Sequence, residues 1–338
     1  METRKVQQVG GGTFTVSLPK EWAEAEGVTS GTEVEIHTHI DGTLAVRTAA
    51  REGAVDGAVT APVATSEPAA VERAVRAGYA AGATELRLEA ETGLSTDQRR
   101  ALERAGRSLT GVAIDEGASE GTVTVRTLVD PGEVSVRQSV RQLRFVALSM
   151  HRDAVAGLDG DGMANPGDRD DQADRLYAMV ERHLTRGLAR LEELDALGLT
   201  RVELFDLWAV ARELERVADH AERVARVAAG VEGHPEAAGA VDDLADQARA
   251  VVGDAVGLVV DEPSLDAAHE VLSARDRVRA EAVALERRLF EAAGADYRLA
   301  RVLDSVSRTA EHGGNIAEVG LQRALRRART EERAVAGE

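Results

Sequence analysis

Hydrophobic and polar positions change their rhythm several times along the chain. Over residues 5–9, 13–18, 33–38 and 43–47 they alternate one by one, the period of short strands. Gly10-Gly11-Gly12 breaks the first pair apart, Pro19 suits a first helical turn, and KEWAEAEG reads as a short helix closed by Gly27. Asp41-Gly42 supplies a φ > 0 pair for a tight hairpin between the last two strands. Four short strands around one short helix cannot bury both faces alone, so a homodimer is expected of this head.

Residues 48–68 are Ala, Gly, Val, Thr and Pro with little pattern, which reads as an extended connector. A stripe of Val71, Val75, Gly78 and Tyr79 then predicts a helix over 67–82. Residues 84–90 and 122–128 alternate as strands, and Ser95 is placed to cap a helix over 96–109. This small α/β segment has no Gly-rich phosphate loop and no nucleophile beside a base, leaving a spacer or a small effector site as its readings.

Beyond Pro131 the rhythm is helical to the end. Val136, Val140, Leu143, Ala147, Met150 and Ala154 step by four and three, as in a bundle helix. Asn165-Pro166-Gly167 is expected to break the chain before a second helix over 168–194, whose acidic first turns suit the helix dipole. Leu204, Leu207, Ala211, Leu214, Ala218, Ala221, Ala225 and Ala228 mark a third helix. A second set follows over 241–260, 265–293 and 297–329. Ala and Gly at core positions of both third helices predict close helix approach.

The two sets repeat. ELERVADHAERVAR around His220 recurs in worn form as VSRTAEHGGNIAE around His312, a register of 92 residues that pairs Arg216 with Arg308, Asp219 with Glu311 and Val224 with Ile316. The expected architecture is multidomain α+β: a β head (1–50), a linker (51–66), a small α/β domain (67–130), and all-α tandem three-helix bundles (133–232 and 237–329).

Charge narrows the chemistry. There are 59 acidic and 41 basic residues, net −18, and Lys5 and Lys20 are the only lysines. The acids spread over nearly every helix, which argues against a disordered tail and resembles a salt-adapted, halophilic proteome. A chain this acidic does not bind nucleic acid by bulk attraction. No cysteine is present, which excludes disulfides and thiolate metal sites. The chain opens METRKVQQVG with no apolar targeting stretch, and no run reaches spanning length, so a cytoplasmic protein without direct membrane insertion is expected.

Two carboxylate pairs stand out. Glu215 and Asp219 share one helix face four residues apart, and Asp170 and Asp174 have the same spacing on the preceding helix. Oxygen ligands so gathered suit a hard or borderline cation such as Mg, Mn, Fe or Zn. In so acidic a chain the spacing also arises by chance, and acids at 168, 170 and 171 also serve as helix caps. His183 and His220 are nearby further candidates. An enzyme with a di-iron bundle is disfavoured, since no Glu lies three residues before His183, His220 or His312.

Several motifs carry family resemblances. RKVQxVGGGTFTVSLPKxW, followed by GVxxGTEVEI and DGTLAV, resembles the AbrB/MazE/SpoVT swapped-hairpin domain over about fifty residues. That resemblance implies an intertwined homodimeric β-barrel and, in many members, DNA binding. Carried over, the DNA contacts are Arg4, Lys5, Lys20 and Arg47, against which the head's acidic balance leaves simple dimerisation or protein docking open. DRLYAMVERHL, RELERVADHAERVA and SRTAEHGGNIAE resemble the PhoU family of phosphate-uptake regulators across the duplicated helical region. This second resemblance implies metal ligation by Asp170, Asp174, Glu215 and Asp219. It also implies a partner in the ATPase of a phosphate transporter or a signalling protein, and no enzymatic activity. The second trio departs from the pattern: Ser307 stands where Glu215 stands.

Overall fold

The computed structural model describes residues 3–48, 58–116, 121–159, 167–228, 231, 235–291 and 296–336. The chain divides into two compact units, Met1–Ala54 and Val55–Glu338.

In the head, β1 (Gln7–Val9) pairs antiparallel with β2 (Thr13–Thr15), α1 (Lys20–Ala25) follows, and β3 (Val34–Thr38) pairs antiparallel with β4 (Leu44–Thr48). Among the described residues these are two separate two-stranded sheets, so the expected closed β-barrel is not formed by one chain. The physical reason is visible in what the ribbons leave in water. Phe14 is 70% exposed and Ile36 65%, with Val9, Val16 and Leu44 also exposed. A two-stranded ribbon has no second layer of its own. The first two strands are also shorter than their alternation predicts, beginning only at Gln7 and Thr13. At the β3–β4 hairpin only Gly42 takes a positive φ (85°). Asp41, expected to share that conformation, instead accepts the Thr43 N–H at 2.8 Å.

The second unit begins with a correction. Part of the expected linker is a strand: β5 (Ala58–Pro62) pairs parallel with β6 (Glu85–Glu89), in the register Val59↔Leu86. Backbone pairing stabilises this weakly patterned segment, and Pro62 is tolerated at the end of an edge strand. The first part of the linker, 49–57, lies outside the described residues. Helix α2 (Pro68–Ala80) joins β5 to β6, and α3 (Thr96–Arg107) follows, closed at its start by a reciprocal Ser95–Gln98 capping box. Then β7 (Val112–Asp115), a strand not anticipated, pairs with β8 (Thr122–Thr127) to complete a sheet ordered β5-β6-β8-β7. Val71, Val75 and Tyr79 of α2, Leu102 of α3, and Leu86, Leu88, Val123 and Val125 of the strands form its core.

The helices run α4 (Val136–Ala156), α5 (Gly167–Ala189), α6 (Leu191–Leu197), α7 (Arg201–Ala228), α8 (Pro235–Val260), α9 (Leu265–Glu291) and α10 (Tyr297–Ala336). One trio is α4, α5 and α7; the other is α8, α9 and α10. They join where α7 packs on α10 and α4 on α8. The apolar stripes do what their spacing predicts: Val140, Leu143 and Ala147, and Leu204, Leu207, Ala211 and Leu214, are all buried. The expected break at 165–166 and the side chain of Asp168 lie outside the described residues.

The helix expected over 168–194 is interrupted. Arg190 leaves the helical region (φ −136°, ψ 124°) and α6 restarts, ending at Gly198 with φ 65°. The break turns Glu193 back onto α5, where Arg186 Nε donates to its carboxylate at 2.9 Å in a buried pair. Arg186 Nη1 also donates to the Gly82 carbonyl (3.0 Å), and Arg182 Nη1 donates to the carbonyls of Tyr79 and Ala83 (2.9 Å each). These two arginines bind carbonyls in the last turn of α2 and in the turn just beyond it, and so clamp the α/β segment to the first trio.

Close approach of the third helices also follows from small residues. A Cβ on Gly313 would lie 2.8 Å from Val251 Cγ1, and one on Gly320 would lie 2.6 Å from Leu258 Cβ, so α10 and α8 meet where only glycine fits.

Candidate functional site

The i,i+4 spacing on α5 and α7 puts Asp170, Asp174, Glu215 and Asp219 on facing surfaces of two packed helices. All four are half-buried, and their charges act on one another. Burial raises the Glu215 carboxyl to about 7, helped by Asp219 and Asp174 and opposed by Arg216. Burial raises Asp170 to about 6, with Asp174, Glu222 and Asp219 adding to it. Asp174 is raised by burial too, but Arg76 of α2 pulls the other way, its Nη1 donating at 3.2 Å. Asp219 has Arg223 one turn on, at 3.8 Å. Carboxyls held this high mark a site where negative charge exceeds its local compensation.

The donor set fits a hard cation in chemistry and in charge. Among the described residues, however, no three of these carboxylates bring ligand oxygens within 4.8 Å of one another. Arg76 occupies one side of Asp174, and this contact ties the site to the α/β segment. Tyr177, on the same helix as Asp174, donates to Glu181 at 3.0 Å and is pushed up to about 12 by burial, Glu181 and Glu215. His183 is not part of the cluster. It is buried, both its ring nitrogens lack a hydrogen-bond partner, and burial lowers it to about 4.

The repeat-related histidines meet. His220 of α7 and His312 of α10 stack with ring centroids 5.3 Å apart and planes tilted by 33°. Glu213 of α7 accepts from His312 Nδ1 (2.7 Å) and from Asn315 Nδ2 (2.9 Å), which pins the two third helices together. Burial pushes the Glu213 carboxyl up, but those two donors win and hold it below the usual carboxylate range. Beside them His151 of α4 is fully buried next to Arg249 (3.2 Å), and burial drives it down to about 3. The sequence signal for this joint was the repeat: two histidines in one register, each on a helix with a small-residue face. What the spacing did not reveal was that the two histidines touch.

In the head, Arg4 and Lys5 are exposed and precede β1, not lying on it as the alternation suggested. Lys20, at the start of α1, has Glu24 at 3.5 Å, and Arg47 on β4 lies 4.0 Å from Glu35 across the strand pair. Lys20 and Arg47 therefore have carboxylate neighbours.

Two family models match parts of the chain. Residues 140–228 match the PhoU domain, and residues 7–53 match the domain described as antidote-toxin recognition MazE, bacterial antitoxin. Among solved structures, PhoU from Pseudomonas aeruginosa aligns with 23% identity over 55% of this chain and 93% of its own, at a TM-score of 0.47. No curated protein matches the sequence. Among the described residues no helix is long and apolar enough to cross a membrane.

Proposed function

From a chain that joins a MazE-type head to a PhoU domain, we propose a cytoplasmic, non-enzymatic regulator of phosphate uptake that responds to phosphate status and acts at DNA. The observation that carries this is the union of the two domains in one chain. The helical trios form the sensing and relay module, engaging the ATPase of a phosphate transporter or a signalling partner. The head forms a homodimer, since its exposed Phe14, Ile36, Val9 and Leu44 need a second copy to cover them. The dimer doubles the pair Arg4 and Lys5 and, with Lys20 and Arg47, gives the surface that meets the phosphate backbone.

The metal belongs to the first trio. Asp170, Asp174, Glu215 and Asp219 hold it, with Mg, Mn, Fe and Zn as the candidates for its identity. Its role is structural and electrostatic: a bound cation offsets the mutual repulsion of the carboxylates and fixes α5 against α7. Asp174, which accepts from Arg76 at 3.2 Å, would share its carboxylate between that guanidinium and a cation. Metal binding is thereby linked to the way α2 sits on the bundle.

A second reading is favoured by one observation, the carboxylate neighbours of Lys20 and Arg47. In it the head only dimerises, and all signalling runs through the transporter ATPase. Promoter occupancy separates the two. A sequence-specific complex at high salt that is lost in Arg4→Ala/Lys5→Ala supports the DNA reading. Absence of any such complex with the wild-type protein removes it.

A further inference from the structure

The 92-residue register that superimposes the two third helices in sequence also pairs Glu213 with Ser305, and Asn315 with Arg223. In one half of the α7–α10 joint, a carboxylate sits against a histidine: Glu213 takes hydrogen bonds from His312 Nδ1 and Asn315 Nδ2. In the other half the same histidine position, His220, has no such carboxylate, because the short side chain of Ser305 stands where glutamate would. His220 is buried (6% exposed) and its Nδ1 has no hydrogen-bond partner. In place of the lost side chain there is a cavity of about 630 Å³, lined among others by His220, Ser305, Arg223, Arg226, Arg301 and Asp304.

We propose that this cavity is a binding site for a small multivalent oxyanion, whose charged group takes the place that the Glu213 carboxylate holds in the other half. The recognition chemistry is on hand. Arg223 replaces the neutral amide of Asn315 by a guanidinium, the group whose planar fork matches carboxylate and phosphoryl oxygens. Arg301 adds a second guanidinium at the same opening, and Arg226, paired with Glu222 at 2.7 Å, a third. Ser305 offers a hydroxyl, and His220 offers the nitrogen that its counterpart already uses on a carboxylate. Of the acids at the opening, Asp304 is held by Arg308 at 3.1 Å, and Glu286 lies on α9. The volume is that of a small-molecule site, larger than one inorganic ion needs. The site adjoins the carboxylate cluster through Arg223, whose guanidinium lies 3.8 Å from Asp219, but none of the four carboxylates lines it.

The test uses the full chain in chloride buffer of constant ionic strength, titrated calorimetrically with inorganic phosphate, pyrophosphate and citrate. Histidine ring resonances are followed by NMR in parallel. A saturable single site that shifts the His220 resonance is expected. Ser305→Glu restores the internal carboxylate and should weaken binding by about tenfold or more, as should Arg223→Gln at an exposed position. Citrate binding without the phosphates assigns a polycarboxylate, and the reverse assigns a phosphoryl group. No saturable binding of any of the three to the wild-type chain overturns the site. Unchanged affinity in folded Ser305→Glu overturns it equally, and if that variant does not fold, unchanged affinity in Arg223→Gln does.

Discussion

The two helical trios share topology and register yet differ in what they do with charge. Both third helices keep a histidine at the joint, apolar residues beneath it and small residues where neighbours press close. Around that common frame the first trio carries Glu215 and Asp219, half-buried on the side of α7 that faces α5, and the second carries Ser307 and Glu311. The first spends Glu213 on His312, while the second presents Ser305 to His220. The lesson is that packing positions tolerate little change after a duplication, whereas half-buried polar positions are free to diverge into separate tasks.

The largest expected effect lies where the first trio alone carries the α/β segment. Arg186→Leu strands Glu193 in a buried site and uncouples α2 from α5, costing about 3–5 kcal/mol in denaturant unfolding. Next come changes that break the joint from either side. Glu213→Ala leaves His312 and Asn315 without their acceptor and should cost about 1–3 kcal/mol, whereas Ser305→Ala should be nearly silent by the same measurement. Gly313→Ala in the second trio meets Val251 and should cost about 1–3 kcal/mol by overpacking. Its register partner Ala221 already accommodates that methyl group.

Smaller effects come from titration. The folded Glu215 carboxyl titrates near 7, above its ordinary unfolded value. Its contribution to metal-free stability is therefore fully present in acid and is lost as pH rises through about 7. Glu215→Gln should flatten that fall and stabilise the metal-free chain by about 1 kcal/mol at pH 8, after discounting for solvent screening. Thermal melts in chelator across pH 5–8 would show it. Glu222→Gln, which frees Arg226 from its 2.7 Å carboxylate partner, should change oxyanion affinity at the cavity least of all, by about twofold towards tighter binding.

Much of this was legible before any coordinates. The 3.6 period placed α4 and α7, Ser95 announced the start of α3, and the His220/His312 register gave the duplication. Local signals failed where long-range partners decide. Residues 58–62 have too little alternation to declare a strand, which forms because β6 offers an edge. Arg190 breaks a helix that its neighbours would continue, because Arg186 and Glu193 meet across the break. The site was half legible. Spacing put each carboxylate pair on one face, but the contact of Arg76 with Asp174 crosses 98 residues of sequence. The barrel that the head's resemblance implied is not formed among the described residues, whose two ribbons leave Phe14 and Ile36 exposed.

The most direct test of the central claim is metal stoichiometry per chain in the wild type, in Glu215→Ala/Asp219→Ala, and in the second-trio variant Glu311→Ala. Purified protein dialysed against Mn²⁺ and analysed for bound metal should retain it in the wild type and in Glu311→Ala, and lose it in Glu215→Ala/Asp219→Ala. Metal that survives the double substitution, or that departs with Glu311, would contradict the division of labour between the trios.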